Sequence, residues 1–198
     1  MQTTPLHPES TPPVLIALPL RGISWLCRGV RQLYRRLWLL PRFQRHLDAP
    51  ADALSLADEV PWVLGRPQIR LGRQCRLGAE ISILANPQQP GKPGELTLGD
   101  RVHIGHHTTL AIGERICLGN DVRIAAGTSL MGQQDERGAI LLEDGVTLGT
   151  GCTVLGGIRI GQGTLVAPNS LVTCDLPAGV YAAGRPARAL CSLAKPQE

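Results

Sequence analysis

Residues 142–172 read LEDGVTLGTGCTVLGGIRIGQGTLVAPNSLV, and an aliphatic residue returns at every sixth position of this stretch. The period extends back through residues 112–130, IGERICLGNDVRIAAGTSL, so that ten of the eleven positions in steps of six from Ile112 to Val172 are aliphatic. A helix would space its apolar residues three and four apart, and a single strand two apart. A fixed six-residue period predicts instead a solenoid of short strands, the hexapeptide form of the parallel β-helix.

Each repeat offers a second inward position, four residues after the aliphatic one. That position holds Ile116, Val122, Thr128, Val146, Cys152, Ile158, Thr164 and Ser170. Glycine or alanine often follows the aliphatic residue, which suits a tight corner. The chain has one Phe, two Tyr and three Trp in 198 residues. Aliphatic and small side chains must therefore fill the core, as narrow coils require.

Two irregularities interrupt the period. A two-residue shift follows Leu110 before Ile112 sets the final phase, and Glu136 stands where an aliphatic residue is expected. Because burying an unpaired carboxylate in an apolar interior is costly, we predict that the chain leaves the coil in an excursion loop over 131–139. A second loop is predicted at 86–94, which holds three prolines. After the last repeat we expect a short closing helix at 188–195.

Over roughly residues 66–192 the sequence resembles the hexapeptide-repeat acyltransferases. Its end, Ala183-Gly184-Arg185-Pro186-Ala187-Arg188, is similar to the Gly-x-Pro-Ala-Arg/Lys motif that closes the repeat in this family. The resemblance implies an all-β fold, a left-handed parallel β-helix with three hexapeptides per coil. It also implies a homotrimer with sites between adjacent subunits.

We predict four segments: a disordered tail over 1–19, a basic amphipathic helix over 20–45, a linker over 46–63 and the β-helix domain over 64–198. In the helix, apolar residues follow a three-four spacing between Ile23 and Leu40, and arginines occupy much of the remainder. Two interpretations explain this pattern: the helix lies in a membrane interface, or it packs on the β-helix or on its copies in the oligomer.

Charge and cysteine content exclude several classes of function. The net charge of +4 is concentrated in residues 1–50, which hold seven arginines, and the rest of the chain is nearly neutral. The main domain lacks the basic, aromatic face of a nucleic-acid binder. Six scattered cysteines without a CxxC pair argue against disulfides and zinc. No export signal is convincing, so we expect a cytoplasmic protein, at the inner face of the membrane if the helix binds lipid.

Three of the five histidines cluster, at His103, His106 and His107. Residues 106–114, HHTTLAIGE, resemble the segment of serine acetyltransferases in which a histidine is followed seven residues later by Gly-Glu. This resemblance implies that His106 is the general base, with His107 as the second candidate. A neutral imidazole would take the proton of an acceptor hydroxyl as that hydroxyl attacks a thioester. The alternative is a corner histidine without a catalytic role.

Two departures from the serine acetyltransferases stand out. The aspartate that orients their histidine falls in the 90–94 loop, which contains no Asp, so Glu95 and Asp135 are the alternatives. Their second histidine, which holds the amino-acid substrate, falls near Ala139, and this argues against serine as the acceptor. In the sugar and antibiotic acetyltransferases the catalytic histidine falls one coil later, on Asp135, an outside candidate for the base.

The resemblance to the sugar acetyltransferases also implies a coenzyme A site. The residues implied are Thr150, Pro168, Thr173, Cys174 and Arg188, and Arg185 of the closing motif is a further candidate by its charge. The two arginines would bind the 3′-phosphate and the pyrophosphate. Lysine is common at the position of Cys174, so one phosphate contact of the family is absent.

The sequence therefore predicts an acetyl-coenzyme A-dependent O-acyltransferase that acetylates a hydroxyl of a saccharide or glycolipid without a metal. A serine or other small-molecule O-acetyltransferase is the nearest alternative. A zinc lyase similar to the β-helix carbonic anhydrases is another, although the three histidines here are spaced three, one and four apart, whereas two histidines of those enzymes are five residues apart. The third alternative is a catalytically silent trimeric scaffold.

Overall fold

The computed structural model describes residues 55–56, 61–85, 93–132 and 138–193, and the regular structure of these residues consists of strands. The strands are β1 (Ser55–Leu56), β2 (Trp62–Leu64), β3 (Gln68–Leu71), β4 (Arg76–Leu77), β5 (Ser82–Ala85), β6 (Glu95–Leu98), β7 (His103–Ile104), β8 (Thr109–Ile112), β9 (Arg115–Leu118), β10 (Arg123–Ile124), β11 (Ser129–Met131), β12 (Ile140–Leu142), β13 (Thr147–Leu148), β14 (Thr153–Leu155), β15 (Arg159–Ile160), β16 (Leu165–Val166), β17 (Leu171–Val172), β18 (Val180–Gly184) and β19 (Ala187–Ser192).

The strands form three sheets that the chain visits in turn. Face A consists of β3, β6, β9, β12 and β15. Face B consists of β1, β4, β7, β10, β13, β16, β18 and β19, and face C of β2, β5, β8, β11, β14 and β17. Each strand pairs in parallel with the strand one circuit later, apart from the last hairpin. The predicted all-β parallel β-helix is confirmed.

The core lies inside the three faces and contains the positions that the six-residue period selects. The aliphatic residues in phase with Ile112 are buried throughout, apart from the interrupted step at Glu136, which lies outside the described residues. The second inward position is buried as well, including its polar members Thr128, Thr164 and Ser170. Cys152 is buried as a free thiol. The six-residue period therefore predicts correctly which residues of nearly every coil point into the core.

Two of the three corners have constant length. Every described connection from face A to face B, and from face B to face C, holds four residues, as at 99–102 and 105–108. The connection from face C to face A varies instead, from two residues at 113–114 to nine at 86–94. The predicted two-residue shift is the extension of β8, where Leu110, Ala111 and Ile112 are buried in succession.

The predicted excursion loop occupies the same variable corner. The connection from β11 to β12 holds eight residues, 132–139, whereas the next coil closes with three, 156–158. Residues 133–137 of that loop, including Asp135 and Glu136, lie outside the described residues.

The amino-terminal predictions fall largely outside the described residues, including the tail 1–19 and the basic helix 20–45. Pairing with the β-helix begins at β1, which lies beside β4 and within the segment 46–63 predicted as a linker. Within the described ranges, no helix is long and apolar enough to cross a membrane.

The predicted closing helix at 188–195 is wrong. Residues 187–192 form β19, which runs antiparallel to β18 and registers Gly184 with Ala187 and Ala183 with Arg188. β18 itself continues face B by pairing with β16. Without β19 the edge of β18 would be unpaired, and β19 satisfies the backbone groups of that edge.

We predict that Leu148→Ala lowers the free energy of unfolding by about 3 kcal/mol, because Leu148 is completely buried and the coil cannot collapse around the cavity. Leu165→Ala is the matched control: Leu165 begins the neighbouring strand of face B and is 36% exposed, so its loss should cost less than about 1 kcal/mol. Urea denaturation followed by circular dichroism measures both. Equal losses in the two variants would contradict the assigned interior.

Candidate functional site

We call the four-residue connections from face B to face C the B–C corner. Three of the predicted site residues lie in this corner, one above another in successive coils, together with Ala126. The N–H of Gly127 donates to the carbonyl of His106, that of Gly151 to Ala126, and that of Asn169 to Thr150, at 2.8, 3.0 and 2.8 Å. His106, Ala126, Thr150 and Pro168 therefore occupy the same place in successive coils. With about 4.8 Å between paired strands, His106 and Thr150 lie roughly 10 Å apart.

Buried hydroxyl and thiol groups hold the B–C corner from inside. Thr108 Oγ1 donates to the carbonyl of Gly105 at 2.8 Å, and Thr128 Oγ1 donates to that of Ala125 at 2.9 Å. Cys152 Sγ lies 3.1 Å from the carbonyl of Ala167, and burial raises the pKa of this thiol, which keeps it a neutral donor. These bonds satisfy corner carbonyls that face the core, and they fix the backbone on which His106 and His107 stand.

His106 is exposed, and its ring is held by the preceding coil. The backbone N–H of Ala79 donates to Nδ1 of His106 at 3.0 Å. A neutral imidazole that accepts at Nδ1 carries its proton on Nε2. In this arrangement His106 presents an N–H donor to the surface, whereas a general base needs a free lone pair. The role of base that the resemblance implies for His106 remains a prediction, and this hydrogen bond does not favour it.

His107 has the complementary arrangement. Its Nδ1 lies 2.8 Å from Oε2 of Glu80, and both side chains are more than half exposed. A proton on Nδ1 that is shared with the carboxylate leaves the lone pair of Nε2 open. His107 also has a left-handed backbone, with φ of 55°, at the place that Gly127, Gly151 and Asn169 occupy in later coils. Glu80, at the same place one coil earlier, and Asn169 also have this conformation, with φ of 56° and 58°, so it is a feature of the corner and not of His107 alone.

Glu80 is the residue that sequence reasoning missed. It stands in the same corner one coil earlier, because residues 78–81 and 105–108 connect successive pairs of strands. The signal was present: Leu77-Gly78 and Ile104-Gly105 are equivalent steps of the repeat, so the residues that follow them stack. The 27-residue separation between Glu80 and His107, lengthened by the 86–94 connection, concealed this relation.

Glu95, an alternative orienting acid, lies on face A and is engaged there. Its carboxylate accepts from Arg70 at 2.7 Å and lies 3.3 Å from Arg115. This places it away from the B–C corner. Asp135, the other alternative, lies outside the described residues.

His103 lies on β7 of face B, directly beside Arg76 and Arg123 in the register of the sheet, and not in the B–C corner. Burial lowers the pKa of His103, and the charges of Arg76, Arg123 and His106 lower it further. Within the described residues, no three His, Cys, Asp or Glu side chains form a group that can hold a metal ion.

The residues implied as coenzyme contacts divide into two groups on either side of face C. Thr150 and Pro168 lie in the column of the B–C corner, whereas Thr173 and Cys174 follow β17, where the chain turns towards face A. Arg188 of β19 joins the second group, since its Nη1 lies 3.4 Å from Cys174 Sγ.

Arg185 stands in the turn between β18 and β19. The preceding Gly184 donates its N–H to Ser170 Oγ at 3.3 Å, which places this turn beside the last described B–C connection. The two groups of implied coenzyme residues therefore flank the same face of the prism.

No family model matches the chain. Over 59 residues it is 37% identical to the 2,3,4,5-tetrahydropyridine-2,6-dicarboxylate N-acetyltransferases of several Staphylococcus aureus strains, including JH9 and COL. That match covers 30% of this chain and 25% of the relative. The chain thus spans about a quarter of the length of the curated relatives it matches.

Among solved structures, the chain is similar to AntD, an N-acyltransferase from Bacillus cereus. One single-residue mutant of AntD, in complex with dTDP-4-amino-4,6-dideoxyglucose and coenzyme A, gives a TM-score of 0.60 at 17% identity, covering 73% of this chain and 86% of AntD. A different mutant, in complex with dTDP and coenzyme A, gives 0.59 at 15% identity, covering 77% and 88%. This likeness shows that the chain shares the fold of AntD.

We predict that Thr128→Val destabilises the B–C corner by about 1–2 kcal/mol, because Oγ1 is the buried donor to Ala125 and also lies 3.3 Å from the carbonyl of Gly149. Thr147→Val, on the partly exposed side of β13, is the control and should change stability by less than about 0.5 kcal/mol. Chemical denaturation gives both values. A stabilised Thr128→Val variant would show that the hydroxyl does not hold the corner.

Proposed function

We propose that this chain is an acetyl-coenzyme A-dependent acyltransferase whose acceptor binds at the B–C corner, and that the acceptor is a hydroxyl of a saccharide or glycolipid. The observation that carries the proposal is the pairing of His107 with Glu80 beside the exposed ring of His106. Three further points support it: the shared fold of AntD, a coenzyme A-bound acyltransferase, the partial match to named acetyltransferases, and the column shared with Thr150 and Pro168.

The hydrogen bonds divide the chemistry between the two histidines. Glu80 holds Nδ1–H of His107, so that Nε2 accepts the proton of the acceptor hydroxyl as its oxygen attacks the thioester carbonyl carbon. His106, with its proton on Nε2, donates to the oxyanion that forms on the carbonyl oxygen. His107 then returns its proton to the departing thiolate. Each proton has a donor and an acceptor, and no metal takes part.

An amine acceptor is the second candidate. The curated relatives carry the name of N-acetyltransferases, and AntD is described as an N-acyltransferase bound to an amino sugar nucleotide. The same base serves either reaction, because an amine also loses a proton when the tetrahedral intermediate collapses.

A membrane-borne acceptor rests on the predicted basic helix over 20–43, which lies outside the described residues, so the glycolipid and the location at the inner face of the membrane remain predictions.

We propose further that the protein assembles as a homotrimer through face C. The described strands of face C contain no charged residue, whereas face A includes Arg70 and Glu95, and face B includes Arg76. One register column of face C is apolar throughout: Leu64, Leu84, Ala111, Met131 and Leu155. Face C is therefore the face that copies can cover without burying charge.

Activity should depend on His107 and Glu80 in different ways. Full-length protein is supplied with acetyl-coenzyme A and hydroxyl sugars, amino sugars or serine, and thiol release and product mass are measured. His107→Ala should lower kcat by about 10²–10⁴-fold, because proton transfer contributes that much. Glu80→Gln, which affects only the orientation of His107, should lower kcat by roughly 10-fold at unchanged KM for acetyl-coenzyme A.

The matched control is Gln162→Ala, at an exposed position of another corner, and it should leave the rate unchanged. If His106→Ala loses activity and His107→Ala keeps it, His106 and not His107 is the general base. Selective turnover of serine would refute the saccharide acceptor, and no thiol release with any acceptor would refute the transferase.

Leu155→Asp should shift the wild-type mass of about three chains of 21.2 kDa towards one chain, measured by light scattering, because it puts a carboxylate into the apolar column. Leu165→Asp, the same change on face B, should leave the mass at the wild-type value. A Leu155→Asp protein with wild-type mass would exclude face C as the contact between copies.

A further inference from the structure

Face B carries a short column of basic side chains between the corner that it shares with face A and the B–C corner. In the register of the sheet, Arg76 of β4 lies directly beside His103 of β7, which lies directly beside Arg123 of β10. All three residues are exposed. With about 4.8 Å between strands, the two arginines are roughly 10 Å apart at Cα, and the imidazole lies between them.

These side chains line a concave part of the surface. The depression has a volume of about 900 Å³, and its lining includes Arg76, His103 and Arg123 together with Gln74, Arg101 and Asp121. The last two belong to the corner between faces A and B, where Asp121 accepts from Nε and Nη2 of Arg101 at 2.6 and 2.5 Å. The basic column therefore lines this depression together with Arg101 and Asp121, whose opposite charges neutralise each other.

The arginines of this column differ from the arginines on the strands of face A. Arg70 and Arg115 contact Glu95, and Arg159 contacts Glu143. Among the residues that the structure describes, neither Arg76 nor Arg123 forms a hydrogen bond or an ion pair with a carboxylate.

Asp121 is the acid in the lining of the depression. The hydrogen bond from Arg101 is the largest cause that lowers the pKa of Asp121, and the charge of Arg123 lowers this pKa by a smaller amount. With one carboxylate against three guanidinium groups, the depression has an excess of two positive charges.

The fold does not require this charge. Farther along the same column the directly paired residues are Thr147, Leu165 and Tyr181, which are uncharged. Burial and the flanking arginines lower the pKa of His103, so the ring is neutral at pH 7 and offers one N–H donor between two cations.

We propose that Arg76, His103 and Arg123 form a binding site for the phosphate or diphosphate group of a ligand. Guanidinium groups bind phosphate oxygens through paired N–H donors, and the imidazole adds a third donor between them. A metal ion is repelled by the net positive charge. A nucleic-acid strand would need the basic column to continue, and it ends at Thr147.

The position of the site points to the acceptor as the source of that phosphate. His106 follows His103 by three residues, so their Cα atoms are at most about 10 Å apart, and the charge of His106 acts on His103. A sugar joined to a phosphate that the arginines hold can therefore reach the B–C corner. This second step rests on the proposed acyl transfer, whereas the anion site itself does not.

Binding of inorganic pyrophosphate to the full chain tests the site without reference to activity. Isothermal titration at constant ionic strength should show saturable binding, and the double variant Arg76→Gln/Arg123→Gln should weaken it at least 10-fold. Arg159→Gln is the control: it removes an arginine from face A, where Glu143 engages it, and binding should be unchanged. Circular dichroism melting verifies that each variant is folded. Equal binding in the double variant and wild type, or equal weakening by Arg159→Gln, overturns the site.

The source of the phosphate is tested by competition and kinetics. We expect coenzyme A not to displace pyrophosphate, and the double variant to raise KM at least 10-fold for a sugar phosphate or sugar nucleotide, with KM for acetyl-coenzyme A unchanged. Displacement by coenzyme A that disappears in the double variant would overturn the acceptor assignment. Pyrophosphate binding by a wild type that acetylates no acceptor would refute the proposed function and leave the anion site supported.

Discussion

Hydrogen bonding between successive coils is the constraint on which the rest of this structure depends. Each coil must return to the same place one circuit later, so that its N–H and carbonyl groups meet carbonyl and N–H groups of the adjacent coils. Two corners satisfy this condition with four residues each, without exception among the described coils. The third corner absorbs every change in chain length, from the two residues at 113–114 to the nine at 86–94. Insertions at this corner leave the pairing of the other two undisturbed.

This division assigns different tasks to the corners. The B–C corner is constant, is stiffened inside by Thr108, Thr128 and Cys152, and carries His106 and His107 outside. The base and the hydrogen-bond donor that we propose would have to keep their positions to within a fraction of an ångström, and a corner held by buried hydrogen bonds fits that requirement. The irregular positions of the repeat do not themselves contain the histidine pair. Glu80 lies below His107 because β4 pairs with β7, and the long 86–94 connection only sets how far apart the two residues are in the sequence.

The three faces carry different charges, and the six-residue period does not predict this difference because it concerns only the residues that point inward. Arginines of face A, such as Arg115 and Arg159, contact carboxylates, and face C has no charge on its described strands. Face B keeps Arg76 and Arg123 beside His103. The three faces thus present salt-bridged, apolar and cationic surfaces, and the histidine corner lies between the cationic face and the apolar one.

The sequence by itself determined the parallel β-helix, because aliphatic side chains that recur every six residues can all point into one core only when the chain winds in such coils. Residues such as Leu148 and Cys152 were assigned correctly for that reason. It also located the two histidines of the corner and, through resemblance, the column that His106 shares with Thr150 and Pro168. The closing strand β19 was missed, because edge pairing of the last coil is a tertiary requirement with no local pattern. Only the tertiary structure decided which ring nitrogen of each histidine is engaged and which acid lies beside His107, since residues 27 positions apart become neighbours only when the coil closes over a connection of variable length.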